Sequence, residues 1–330
     1  MATPTLRLGL IGHGTVGRAF TRAIRDTEEL VRSRLDVRLE VAQVAVRSPD
    51  RHAPSLPDVR VHDDPEALVH DPGLDLIVEA SGAPEAAQWI AHGLARGVPV
   101  VTANKLALAT DRGLLWHLAE RHPLLYCEAA VAAALPIVRA LRDSFEGEDI
   151  YEVRAVLNAT TTYILDSIAT GDTFQRALER ARSYGYAEAD ASDDLSGRDA
   201  AAKLALLATI IWRYPVELCA VRVRGIDGGI AECVLAARRR HAVVRVVASA
   251  VATDTSVQLG VAPTVLDSDD PLWRTEGITS AVVLHGTLAG PLTWYGAGAG
   301  GTHTASALLN DVLAAARVLQ RAAVTGRIVA

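Results

Sequence analysis

Lysine is almost absent from this chain. Of 33 basic residues only Lys105 and Lys203 are lysine, and the other 31 are arginine. Solvated positive charge is served by either residue, so the two lysines stand out as candidates for work that arginine does poorly. Arginine holds its proton too tightly for proton transfer, and its planar fork does not mimic a compact ammonium. Cysteine is also scarce. Cys127, Cys219 and Cys233 are odd in number and lack metal-ligand spacing, which fits ordinary thiols in a reducing cytoplasm. No apolar run reaches membrane-spanning length without charges or turn residues, and Gly12 and Gly14 interrupt the first one. A membrane span and a signal peptide are therefore not expected, and the expected location is cytoplasmic. Neither sign of charge dominates: the net charge is −6 with 22% charged residues, which argues against a nucleic-acid partner. Arg238-Arg239-Arg240 is a short basic run with no interleaved aromatics and reads as a solvated helix end.

What is present is ample core. With 330 residues and 50% hydrophobic content, two domains are expected. The start reads as strand (Leu6–Ile11), glycine turn, helix (Val16–Leu35) and second strand (Val37–Val46). Strands at Leu74–Glu79 and Val98–Thr102 follow, with helices after Pro84 and over Leu114–Arg121. This alternation predicts a doubly wound parallel sheet of Rossmann type. The pattern then changes. Ala129–Arg142 is apolar and Ala-rich, and Tyr151–Leu157 reads as a strand. Helices are expected over Tyr163–Thr170, Thr173–Tyr184 and Arg198–Trp212, with a polar loop at Gly185–Gly197. Val221–Val283 is strand-rich, with strands at Ala242–Thr253 and Ser256–Pro263, then Ala281–Leu288 and Leu292–Tyr295. A mostly polar-faced helix, Thr304–Ala323, closes the chain. The expected fold is α/β: a cofactor domain of residues 1–128 plus 304–330, and an α+β domain of residues 129–303 for substrate binding and dimerisation.

Four clusters carry chemistry. Gly12-His13-Gly14-Thr15-Val16-Gly17 sits between strand and helix. Its first glycine makes the tight turn, the second admits a pyrophosphate to the backbone, and the third lets helix and strand pack closely. That pattern predicts a dinucleotide. The second strand ends in Val46-Arg47-Ser48, with no acid for ribose hydroxyls. Arg47 suits a 2′-phosphate, so NADP is expected, with NAD the alternative. Third, Thr102-Ala103-Asn104-Lys105 follows a short buried strand, where ligands of such sheets bind. Fourth, Tyr184–Asp199 gathers Glu188, Asp190, Asp193 and Asp194 ahead of Asp199 and Lys203, an i, i+4 pair on one helix face. That density of acid suits an ammonium-bearing substrate, with a divalent cation the alternative. The helix continuing as Leu204-Ala205-Leu206-Leu207 is too apolar to lie on a surface.

These residues together resemble the homoserine dehydrogenases, the shorter kind without a C-terminal regulatory domain. The resemblance runs nearly end to end. It takes in the glycine turn, Thr102–Lys105, Glu128-Ala129-x-Val131 leading to Leu135-Pro136, and Leu157–Leu165. Gly185–Lys203, its most specific part, Gly225-Ile226, Asp270–Leu272 and Gly296–Thr304 complete it. It implies interconversion of aspartate 4-semialdehyde and homoserine, in threonine, methionine and isoleucine biosynthesis, by a homodimer paired through the second domain. It also implies Lys203 as acid–base residue, Lys105 as a second catalytic lysine, and Glu188, Asp199, Asp194 and Tyr186 at the substrate. Gly12, Gly14, Thr15, Val16, Gly17, Arg47, Ser81, Asn104, Lys105, Gly185, Gly298 and Gly300 would hold the cofactor, with the run at Gly298 closing over the nicotinamide. On that last reading, Gly298→Val should weaken cofactor binding more than folding. A monovalent cation, Na⁺ or K⁺, would sit on the carbonyls of Glu128, Val131, Ala133 and Leu135. The chain departs from the family pattern at Ala132, Ala133, Ala134 and Ala159, where glycine is common, and at Thr162 and Ser280, where asparagine is usual. Two other readings share part of the pattern: a dehydrogenase of another amino-acid or sugar aldehyde, and a catalytically silent NADP-binding protein.

Overall fold

The computed structural model describes residues 3–325, with side chains as far as Ala322. The chain divides into two compact units. One runs to Ala133 and resumes at Gly300; the other is Ala134–Ala299. The last five residues of the expected 304–330 segment lie outside the described ones.

The first unit is built on β1 (Thr5–Ile11), β2 (Arg38–Ala45), β3 (Arg60–His62), β4 (Leu76–Glu79), β5 (Val100–Thr102) and β6 (Leu125–Tyr126). Among the described residues these strands form one sheet in the order β3-β2-β1-β4-β5-β6, every pair parallel. The order reverses between β1 and β4, and a crevice at the carboxyl ends of strands is expected at such a point. Leu8, Leu10, Leu76, Val78 and Val101 are buried along the sheet and pack with Phe20 of the first helix. The last helix, Gly301–Thr325, packs on that same core. It was expected to be mostly polar-faced. Instead Ala305, Leu308, Leu309, Val312, Ala315 and Ala316 are buried, because their i, i+3, i+4 spacing makes one apolar stripe.

The expected helix Val16–Leu35 is two helices, Thr15–Asp26 and Glu28–Leu35. They meet at Thr27, which leaves helical angles (φ −113°, ψ 8°) and donates its hydroxyl back to the Ala23 carbonyl at 2.7 Å.

In the second unit β7 (Ile150–Val156), β8 (Arg222–Val223), β9 (Val243–Ala252), β10 (Val257–Leu266), β11 (Thr279–Gly286) and β12 (Gly290–Ala297) form a mixed sheet. Its order among the described residues is β12-β11-β7-β9-β10-β8, antiparallel except for β8 with β10. Helices Ala159–Ala169, Arg198–Trp212 and Ile230–Arg239 pack on β9. The last of these lies in a region read as strand-rich, and only its end, Arg238-Arg239-Arg240, was read as helical. Ile230, Val234 and Ala237 carry its spacing, and Val234 and Ala237 are buried. The loop expected at Gly185–Gly197 contains a short helix, Ser192–Ser196, ended by Gly197 at φ 84°.

The glycine turn follows the roles assigned from sequence. Gly12 has φ +93°, and a Cβ there would lie 2.5 Å from Ser81 Cα. A Cβ on Gly17 would lie 2.2 Å from the Gly12 carbonyl oxygen, whereas Gly14 has nothing within 4 Å. Gly17→Ala must therefore displace backbone and should lower stability by about 1–3 kcal/mol in urea unfolding. Gly14→Ala should unfold like the wild type. Equal stability of the two variants would contradict the packing role of Gly17.

Candidate active site

In the first unit the carboxyl ends of β1, β2 and β4 open onto a cavity of about 750 Å³. Gly12, Gly14, Arg47 and Ser81, all expected at the cofactor, line it together with His13, Ser48, Arg51 and His52. Helix Thr15–Asp26 begins at its glycine edge, so backbone N–H groups there are free of helical partners. No acid stands at the tip of β2; Arg47 and Arg51 line the cavity, and so do Asp63 and Glu85. This lining fits a phosphorylated dinucleotide.

The other cofactor candidates have different surroundings. Thr15 opens the helix and meets the chain at Gly301, Val16 is half-buried against the core, and Gly17 is a packing position. Asn104 caps helix Lys105–Thr110: its Oδ1 accepts from Ala107 N at 3.0 Å and its Nδ2 donates to Ala83 O at 2.9 Å. Lys105 is the first residue of that helix, directly after β5. Gly300, at φ +109°, precedes the last helix. Gly185 (φ +73°) and Gly298 belong to the second unit.

Two residues not singled out from sequence shape this edge. Glu79 is fully buried. It accepts from Ser81 N (2.8 Å), Ser81 Oγ (2.6 Å) and Thr102 Oγ1 (2.7 Å), tying the ends of β4 and β5 together. His13 is buried beneath the glycine turn, 3.3 Å from His52 Nδ1 and 3.2 Å from Thr21 Oγ1. Burial first, then the charges of His52, Arg18 and Arg25, lower its pKa from 6.5 to about 4. It is a neutral ring at neutral pH.

The second unit holds a tight polar network. Lys203 Nζ donates to Asp199 Oδ2 at 2.8 Å and to the Leu157 carbonyl at 2.8 Å. The side chains are only 12% and 9% exposed, so this is a nearly buried ion pair, as the apolar helix led one to expect. Asn158 Nδ2 donates to Asp199 Oδ2 at 2.9 Å and to Asp194 Oδ1 at 2.6 Å. Thr160 Oγ1 lies 3.2 Å from Asp194 Oδ2. Burial pushes the Asp194 carboxyl above its usual range, opposed by the Asn158 hydrogen bond and reinforced by the charge of Asp199. Asp194, Asp199 and Lys203 are thus brought together. Glu188 is exposed on the loop before them. Tyr186, 39% exposed, packs its ring against Tyr163 and Tyr184.

Asn158 and Thr160 were read only as part of a family motif, with no role. The signal that marked the lysines was available for Asn158, one of three asparagines in the chain. It stands at the cap of helix Ala159–Ala169, where its Oδ1 accepts from Thr161 N at 2.8 Å.

Of the cation-site candidates, Glu128, Val131 and Ala133 belong to the first unit and Leu135 to the second. Ala133 takes φ 45°, the left-handed region that glycine adopts without cost. Gly298 corrects an expectation. A Cβ there would lie 1.7 Å from Ser280 Oγ and 2.5 Å from its Cβ, so Gly298→Val strikes the fold itself before any cofactor.

Comparison with known proteins agrees with this geometry. The family model for the homoserine dehydrogenase catalytic domain matches residues 136–313, and the homoserine dehydrogenase NAD-binding domain matches 12–130. The chain belongs to the homoserine dehydrogenase family. It is an NAD(P)-dependent oxidoreductase acting on a CH–OH group. The homoserine dehydrogenase of Synechocystis sp. is 35% identical over 317 residues, spanning 94% of this chain and 73% of that protein. That of Mycobacterium tuberculosis is 37% identical over 320 residues, 94% and 72%. The crystal structure of a homoserine dehydrogenase from Thiobacillus denitrificans superposes with a TM-score of 0.88 at 29% identity, over 96% of this chain and 74% of that one. A hyperthermophilic archaeal homoserine dehydrogenase in complex with NADPH does so at 0.77 and 28%, over 94% and 97%. No helix among the described residues is long and apolar enough to cross a membrane.

In this homoserine dehydrogenase Asn158 gives both amide hydrogens to carboxylates. Asn158→Ala should cost about 1–3 kcal/mol, because Asp194 and Asp199 each lose a buried donor. The same change removes a bond that holds Asp194 toward its ionised form, so the acid limb of the pH–rate profile should move to higher pH. An unmoved limb would show that Asn158 only caps its helix.

Proposed function

We propose that this chain interconverts L-aspartate 4-semialdehyde and L-homoserine with a preference for NADP, NAD being the weaker alternative. The biosynthetic direction is reduction of the aldehyde, toward threonine, methionine and isoleucine. The observation that carries the chemistry is the state of Lys203. An ammonium has three N–H donors, and two are committed to Asp199 and the Leu157 carbonyl. The third is available to a substrate oxygen, and the first two fix its direction.

The bound nicotinamide supplies or accepts the hydride. As negative charge grows on the aldehyde oxygen, the Lys203 ammonium stabilises it and delivers a proton; in reverse the neutral amine takes the hydroxyl proton. Asp199 and Leu157 O hold Nζ in place throughout. Asp194, Asp199, Glu188 and Tyr186 are assigned to the substrate, Glu188 and Asp199 to its amino group and hydroxyl region. Lys105, at the carboxyl end of β5, is assigned as the second lysine, a fixed cation at the cofactor edge of its sheet.

Arg47, Ser48 and Arg51 support NADP, since two guanidinium groups and a hydroxyl line a cavity with no acid at the tip of β2. An archaeal relative in complex with NADPH agrees. A monovalent cation is assigned to the carbonyls of Glu128, Val131, Ala133 and Leu135, and the glycine-like angle of Ala133 supports it. A homodimer is assigned to the second sheet. Along β9, Ala248 and Ala250 are fully buried while Ser249 is half-buried and Val251 exposed, so the far end of the strand has one covered face and one open face.

Lys203→Arg keeps the charge but loses proton transfer. Turnover should fall by roughly 10²–10⁴-fold, the range for general acid–base catalysis, with KM changing far less. Unchanged turnover would remove Lys203 from the role. Arg47→Ala should weaken NADP about 10–100-fold, the equivalent of one charged hydrogen bond, and leave NAD almost unaffected. Equal losses for both cofactors would place the 2′-phosphate elsewhere.

A further inference from the structure

Within the first unit, helix Pro65–His70 packs on helix Ala86–Ala95. Glu66 and His70 are i, i+4 on the former and share a face. His92 approaches from the latter. Its Nδ1 lies 3.0 Å from Glu66 Oε2, and the Nδ1 of His70 lies 3.6 Å from the same oxygen. The two imidazole rings are 5.3 Å apart between centroids. One ligand atom from each residue lies within 4.8 Å of the other two.

Those separations have a chemical meaning. A tetrahedral ion bonded to nitrogen and oxygen at about 2.0–2.2 Å holds its ligand atoms roughly 3.3–3.6 Å apart. The pairs at 3.0 and 3.6 Å lie close to that range. We propose that Glu66, His70 and His92 bind a divalent transition-metal ion of the zinc class, with solvent water in the fourth position. Two imidazoles and one carboxylate select zinc, copper or nickel over magnesium or calcium, which prefer oxygen donors throughout. The side chains of Glu66, His70 and His92 are 45%, 57% and 46% exposed, so an ion enters directly and keeps a water.

His70 Nδ1 also lies 2.9 Å from the Glu66 carbonyl, a donor contact that ligation through this nitrogen replaces. Ligation through this nitrogen moves the ring's N–H to Nε2, with no change in net protonation of a neutral imidazole. The bound ion cross-links two helices otherwise joined here by single hydrogen bonds. It does so at the rim of the cavity, since Pro65 precedes Glu66 and Trp89 lies one turn before His92, and both line that cavity.

The test uses the full-length chain without an affinity tag, stripped by chelator. Zinc is titrated calorimetrically at neutral pH, and cobalt is followed by visible absorption. One ion per chain is expected, with cobalt bands of nitrogen and oxygen ligation and no thiolate charge-transfer band. His92→Ala and Glu66→Gln should each weaken binding at least tenfold. Zinc should raise the thermal midpoint of the wild type but not of His92→Ala, whose metal-free midpoint reports its own folding. Three results would overturn the site: no binding by the wild type, undiminished binding in both variants, or a thiolate band placing the ion on a cysteine. None of these readouts involves turnover, so they stand apart from the assigned reaction.

Discussion

The polar network around Asp199 is the constraint on which the catalytic half rests. Two carboxylates, one ammonium and one amide are held where water has little access. Buried charge is tolerable only when every charge finds a partner. Lysine and asparagine together meet that demand, and the imbalance of one negative charge falls on Asp194. Burial already pushes that group toward its protonated form, the response expected of a carboxyl beside another carboxylate. The ordering of Lys203 is thus a by-product of electrostatic necessity: in this pocket the ammonium and the Asp199 carboxylate offset each other's buried charge.

The cofactor half rests on a different economy. Its turn is made of backbone, and its shape is set by contacts that leave no room for side chains at Gly12 and Gly17. Glu79 adds a fully buried carboxylate. By gathering Ser81 and Thr102 it fixes the ends of two strands, so the edge on which Lys105 stands is rigid before anything binds.

Four strands of the parallel sheet were legible because each announced itself locally, whereas β3 and β6, three and two residues long, were too short to show a pattern. The helix Arg198–Trp212 was legible because its apolar run had clear ends. Lys203 and Asp199 were legible because lysine is rare and i, i+4 spacing puts them on one face. What escaped depended on distant partners. Asn158 meets Asp194 and Asp199 only after 36 and 41 residues of intervening chain fold back. The clash awaiting a side chain at Gly298 comes from Ser280 on a neighbouring strand, and a glycine next to a flexible run reads the same whether it packs or hinges. The stripe on the last helix was hidden by alanines, which count for little in hydropathy yet bury well.

His13 carries a consequence for the whole first unit. Its pKa falls from 6.5 to about 4 on folding, so between those values the unfolded chain binds a proton that the native chain refuses. Stability must then decline as pH drops through that interval, because protons favour the state that takes them up. The ring beneath the glycine turn makes mild acidity a solvent condition that loosens the cofactor half, whether or not any residue of the reaction has titrated.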